Sequence, residues 1–492
     1  MENYINKINK KNLSFFIIVL FLFTISQQDL FKENHVLLIY ALKNFDAFKN
    51  LNNDFVTDFT NHIPIYTGLV FFLVKYFSIK SLYVLHYILL FICAFSIYKV
   101  FDKIFKFTNL EVIIWLTLYC LIFHENSYFS GVAGQSVINQ TLQPSSFGVF
   151  FFVSLALYLN SNLILSVLSL CLAVYFHPTY LIHSIFFITG YSIYNLLYKN
   201  YKNLIKINII FLLFILPVIL FLYKNFIINE NHINDIAQEI LVEKRIPHHA
   251  NIQYWFSYKD LIAISILFIG LILIRDNKLF FTPIFTISFL TISISLIQYL
   301  SNSNFLALLF PWRSSVFLIP LSSLIILTIL IKKTKFIQIF NYKTTMSFFI
   351  IIFSIFFYKN IFLEEKYNER LKDKNNLFTF LTESREIKLL ISPTYIEDIR
   401  LNTSIPIFVN WKFHAFRNNE IVKWYNRIQI INEFYGAEDK NDQHLLLNKI
   451  NNIQTTSHIL LDLEKQKELL IDCKIINFNK NYILYDSREC KK

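Results

Sequence analysis

Apolar residues run in long unbroken stretches through the first 358 residues of this chain, and in short interrupted ones afterwards. The long stretches are Leu13–Ser26, Leu82–Tyr98, Leu110–Phe123, Phe147–Leu159, Leu163–Phe176, Tyr180–Leu197, Leu204–Tyr223, Leu261–Ile274, Phe280–Leu300, Phe305–Ile331 and Met346–Tyr358. Each reads as a buried or lipid-facing helix, although several fall short of the ~20 residues a perpendicular crossing needs. They predict an α-helical polytopic membrane protein with about eleven transmembrane helices over residues 1–358. Residues 27–80 form its first external loop, with Val36–Leu42 suited to lying at the interface. His62–Ser78 is long enough to cross, but charge placement favours the interface. If it crossed, the Lys99, Lys103 and Lys106 cluster would fall on the other side from the remaining basic turns.

Beyond residue 359 the period changes. Ile387–Ile391, Ile405–Val409, His458–Leu463 and Tyr482–Tyr485 have strand length. Glu420–Tyr435 carries Ile421, Trp424, Ile428 and Ile431 at helical spacing and stops at Gly436. Residues 359–492 therefore read as a small C-terminal extracytoplasmic α/β domain.

Composition narrows the class. The chain is 55% hydrophobic and 16% charged, against about 25% charged in soluble proteins. Its net charge of +12 would suit nucleic acid, but residues 359–492 hold 21 Lys+Arg against 19 Asp+Glu. The excess is in short clusters between apolar runs, which is a topology signal and not a nucleic-acid footprint. Lys199, Lys202, Lys206, Arg275, Lys278, Lys332 and Lys333 then lie on the cytoplasmic side of a bacterial cytoplasmic membrane, with the N-terminus. Of the five cysteines, only Cys473 and Cys490 have the placement to meet as a disulfide, and no metal-ligand spacing appears.

The polar segment His124–Phe147 lies between two apolar runs and cannot face lipid, where an unpaired polar group costs several kcal/mol. It holds Gly131 and Gly134 together with Gln135, Asn139, Gln140 and Gln143, whose amides suit sugar hydroxyls. His177 opens a turn at the end of a span. Arg245, His248 and His249 share one external loop and suit a phosphate. Arg313 lies inside an apolar run beside Pro311 and Trp312. In a continuous helix it would be ~12 Å from the external end, facing an interior or a cavity. Glu33 and Asp29 follow the first span and are placed to act as a base or to hold a divalent cation.

The acid after the first span, the interfacial helix, the His-Pro-opened segment and the span ending in basic residues resemble the GT-C glycosyltransferase superfamily. That resemblance implies transfer of a sugar from a polyprenyl-phosphate donor to a lipid or cell-envelope glycan. It implies a catalytic acid at Glu33, with Asp29 as second choice, supported by Glu125 in F-H-E-N. The chain departs from better-known members in lacking an adjacent Asp-Glu pair, which leaves the metal unassigned. The segments 134–148, F-H-P-T-Y-L (176–181), R-I-P-H-H (245–249), P-W-R-S (311–314) and 409–428 also resemble a group of bacterial multi-pass proteins within that architecture. A transporter or flippase of a lipid-linked or polyanionic glycan, or an envelope scaffold, stands as the alternative. No Walker loop, dinucleotide motif, HExxH or nucleophile elbow occurs.

Overall fold

The protein is described by a computed structural model covering residues 9–22, 25, 30, 37–124, 130–138, 141–227, 234–333, 342–362, 369–384, 386–466 and 468–491. Its longer helices run α1 (Lys10–Leu22), α2 (Pro64–Phe77), α3 (Ser81–Phe105), α4 (Asn109–His124), α5 (Val149–Leu159), α6 (Leu163–Phe176), α7 (Leu181–Leu197) and α8 (Tyr201–Leu222). After them come α9 (Tyr258–Ile274), α10 (Lys278–Ser301), α11 (Ser315–Lys333), α12 (Tyr342–Phe362), α13 (Glu369–Glu383), α14 (Asn418–Gly436) and α15 (Lys440–Ile453). Each long apolar run of the sequence thus contains a helix, and the Phe305–Ile331 run is interrupted at Leu309–Phe310. Among the described residues, five helical segments are long and apolar enough to cross a membrane: Ser81–Phe105, Pro178–Leu197, Tyr201–Phe226, Lys278–Ser301 and Asn304–Lys333, the last interrupted at Phe310. On α8, Leu212, Leu213 and Leu220 are 62, 66 and 56% exposed, a surface that water would penalise and lipid would not. The helix α2 is apolar but only 14 residues long, about 21 Å at 1.5 Å per residue.

The chain folds as two compact units. The first comprises Met1–Gln28, Phe77–Leu222 and Val242–Glu364. Its helices are joined by tight turns whose ends are capped locally. Between α3 and α4, Lys106 turns into the left-handed region (φ 50°). Thr108 and Glu111 then cap α4 reciprocally, the Thr108 N–H donating to Glu111 Oε2 at 2.6 Å. Glu111 is buried and ion-paired to Lys332 of α11 at 3.0 Å. Trp115 of α4, fully buried, donates its indole N–H to Thr328 of α11.

The second unit comprises Asp29–Tyr76, Tyr223–Leu241 and Glu365–Lys492. It groups residues 29–76 with the C-terminal part, whereas the sequence places them in the first external loop of the membrane domain. The cause is a set of buried partners. Asp54 Oδ2 accepts from the Arg400 Nε–H at 2.7 Å and from the Ile407 N–H at 2.9 Å. Glu420 accepts from the Thr60 backbone and hydroxyl, and Tyr40 packs on Phe413. The sheet has the order β1-β2-β4-β3, with β1 (Leu390–Ile391), β2 (His458–Asp462), β3 (Asp472–Phe478) and β4 (Tyr482–Lys491). β1 pairs parallel to β2, and the other pairs are antiparallel. Cys473 and Cys490 are joined in a disulfide across β3 and β4. The expected strand Ile405–Val409 is reduced to one bridge, Leu390 to Ile407. Its apolar side chains are buried by packing instead of by strand pairing. The strand β3 was not expected, because its side chains are mostly exposed and it shows no apolar alternation.

Candidate functional site

The sequence made Arg313 an intrahelical cation, and the structure breaks that helix. Asn304–Leu308 ends in Phe310 at φ +50°, and Pro311–Ser314 forms a single 3-10 turn before α11 begins. Pro311 has no N–H to continue the ladder, and a bulky residue in the left-handed region is strained. Arg313 thereby sits on a turn, half-buried, and the depth expected from a continuous helix does not apply.

Three of the nominated residues meet there. Arg313 Nε–H donates to Gln135 Oε1 at 2.9 Å, and its Nη1–H donates to Thr179 Oγ1 at 3.1 Å. Thr179 Oγ1 lies 2.5 Å from His177 Nδ1. The guanidinium also stands near the rings of Tyr180 and Phe310, 5.9 and 5.8 Å from their centroids. Among the described residues no carboxylate pairs with Arg313. Next along the turn, buried Ser314 meets His183 Nδ1 at 2.7 Å.

The loop carrying Gln135 is held from three sides. Ser315 Oγ accepts from the Val132 N–H at 3.0 Å, and Asp260 Oδ1 accepts from the Ala133 N–H at 2.9 Å. Gly131 N–H donates to the Gln135 carbonyl at 2.7 Å. A Cβ on Gly131 would meet Ser315 Oγ at 2.4 Å and Val316 N at 2.6 Å, so only glycine allows this approach. Gly134 sits at φ +64°, where a side chain would be strained.

Beside this loop opens a cavity of about 740 Å³. Gly134, His248, Trp255, Lys259 and Asp260 line its polar part, and Ile266 and Ile319 its apolar part. Ser257 and Asp260 cap α9 reciprocally, which fixes the carboxylate. Trp255 packs on Trp312 with ring centroids 5.4 Å apart. Both indole N–H groups are buried and, among the described residues, neither meets an acceptor. A buried unmet donor costs about 1–3 kcal/mol, so these are positions at which a ligand oxygen would be stabilised.

The other nominated residues divide. Arg245 is buried at the end of the 240–245 turn, and His249 stacks against His248 with centroids 4.1 Å apart. Gln143 is spent on its own loop, donating to Thr141 Oγ1 and capping Pro144–Gly148. Glu33, Asp29, Glu125, Asn139 and Gln140 lie outside the described residues. Sequence reading passed over Thr179, Trp255, Lys259 and Asp260. The S-Y-K-D capping box of 257–260 was a legible signal for the last.

In the second unit, the resemblance over 409–428 falls on residues that build the core. Trp424 is fully buried and donates its indole N–H to the Asn410 carbonyl at 3.0 Å. Arg427 lies between Phe55 and Phe408, 3.7 and 4.5 Å from their centroids. Burial holds its guanidinium down at about 10.

Helices of this length and apolar exposure define a membrane protein of several spans, with a small C-terminal sheet region. A family described as a domain of unknown function (DUF6798) matches residues 382–431, a short stretch of the second unit. No curated protein matches the chain.

Proposed function

We infer that the Arg313 turn receives the phosphate of a lipid-linked donor in a membrane glycosyltransferase of GT-C type. The observation that carries this reading is a half-buried guanidinium whose described partners, Gln135 and Thr179, are both neutral. Arg donates to phosphate through a planar fork, and two of its N–H groups already fix the plane. The adjoining cavity supports it, with Lys259, the Trp255 indole and an apolar wall within one enclosure.

In the proposed reaction Glu33 takes the proton of an acceptor hydroxyl. The oxygen attacks the anomeric carbon, and the bond from that carbon to the phosphate oxygen breaks. The electron pair leaves with the phosphate, whose added charge Arg313 stabilises. The acceptor would be a lipid or cell-envelope glycan on the outer face of a bacterial cytoplasmic membrane. The Cys473–Cys490 disulfide supports an oxidising compartment for the C-terminal unit.

The broken helix at Phe310–Ser314 also suits a transporter of a lipid-linked glycan. Lipid-linked sugars extracted from cells carrying wild type, a deletion or Glu33→Gln separate the two. A transferase accumulates the same donor in both variants and loses the same glycan. Accumulation in the deletion alone would remove Glu33 and favour transport.

A further inference from the structure

The turns joining α5 to α6 and α7 to α8, together with the start of α10, surround a second cavity of about 620 Å³. It lies at the opposite ends of these helices from His177 and Thr179. Its wall is amide-rich, with Asn162, Asn195, Asn200 and Asn203 around Lys206 and Tyr158, and no carboxylate lines it. Asn195 is only 3% exposed. Its Nδ2 donates to Tyr158 Oη at 3.3 Å and to the Tyr191 carbonyl at 2.8 Å. Among the described residues no donor is paired with its Oδ1, which leaves that oxygen open to the cavity as an acceptor. Asn162 makes no side-chain cap on α6, and the first-turn residues Leu163 and Ile164 line the cavity. Lys199, Lys202 and Lys278 are next in sequence to the lining residues Asn200, Asn203 and Leu279.

We propose that this cavity binds the phosphoglycerol headgroup of an anionic membrane lipid. The site goes beyond the transferase reading and does not depend on it. Lys206, with no ion-pair partner among the described residues, receives the phosphate diester. Asn203 donates to the same group, and Asn195 Oδ1 accepts from a headgroup hydroxyl. An ammonium headgroup would face Lys206 across a wall that holds no anion. A lipid and not a soluble phosphate is selected by the rim, where Ile164 and Leu165 are 43 and 54% exposed beside the polar lining. Acyl chains covering them would leave the polar head in the cavity.

The test uses the full chain, purified in detergent and stripped of lipid. Its binding and thermal unfolding are followed with micelles of phosphatidylglycerol, micelles of phosphatidylcholine, and soluble glycerol 3-phosphate. Phosphatidylglycerol should raise Tm, while the other two should not. Lys206→Glu and Asn203→Leu, whose side chains make no hydrogen bond or ion pair among the described residues, should each weaken phosphatidylglycerol binding about tenfold. Both should keep the wild-type Tm in phosphatidylcholine, and Arg313→Ala should keep the phosphatidylglycerol effect. Equal stabilisation by phosphatidylcholine, an equal effect of glycerol 3-phosphate alone, or wild-type affinity in Lys206→Glu would overturn the proposal.

Discussion

Arg400 and Arg313 are both carried on short helical turns, and the protein treats them in opposite ways. Arg400 is 1% exposed and ion-paired at 2.7 Å to an Asp54 that is fully buried. Arg313 is half-buried and leans on an amide and a hydroxyl. A buried cation next to a carboxylate has its charge answered within the fold. One held by neutral oxygens is fixed in direction while its charge stays available to an anion. The first arrangement is structural: it ties 29–76 to 365–492 within the second unit. The second is what a phosphate site requires.

That contrast can be broken at either end. Asp54→Ala leaves the Arg400 charge buried and unpaired, which should cost ~3–5 kcal/mol. Thermal unfolding and protease sensitivity of the full chain would show it. Asp54→Ala with Arg400→Met should recover much of the loss, because the pair is then replaced by apolar volume. A single Asp54→Ala that unfolds as wild type would demote the pair to an incidental contact.

Arg313→Ala should act on chemistry and leave the fold intact. Sugar transfer should fall by roughly 100-fold or more, the usual cost of losing a donor to developing charge. The unfolding temperature should move little. Arg313→Lys keeps the charge and loses the fork, so it should recover only part of the rate. A stability loss as large as that of Asp54→Ala would make Arg313 structural too.

Gly131→Ala tests whether the loop that aims Gln135 is rigid. The added methyl meets Ser315 and Val316 closer than real contacts allow, so overpacking should cost ~1–3 kcal/mol. Because Gln135 moves with the loop, transfer should fall alongside stability.

At neutral pH the smallest effect concerns His62 in the second unit. Its imidazole stacks on Phe416 with centroids 3.6 Å apart, and burial pushes its pKa down to about 3. The unfolded chain, with an ordinary histidine, binds a proton near pH 6.5 that the folded chain refuses. Stability should therefore be full above about pH 6.5 and fall as pH drops toward 3, by at most ~1.4 kcal/mol per pH unit. His62→Gln should flatten that decline in urea unfolding between pH 7 and pH 5. An unchanged slope would assign the acid sensitivity to other groups.

Much of the architecture was legible because long apolar runs have few alternatives. A run of about 13 or more such residues that must satisfy its own backbone becomes a helix. Each expected run contains a helix for that reason. The C-terminal sheet was less legible. β1 is two residues long, β3 is exposed, and neither presents a clean alternation. Gln135, His177 and Arg313 each stood out as polar groups in apolar surroundings. Trp255 and Lys259 did not, since aromatic and basic residues at a helix start are ordinary.

What the sequence by itself determined is a helical membrane protein with a distinct C-terminal part. Hydropathy acts locally, and each apolar run reports its own solvent preference. Tertiary structure alone decided that Gln135, Thr179 and Arg313 share one set of hydrogen bonds across 178 and 134 residues of chain. It alone decided that Asp54 finds Arg400 across 346 residues. A hydrogen bond is short-ranged and indifferent to chain separation, so its partners are known only once the helices have packed.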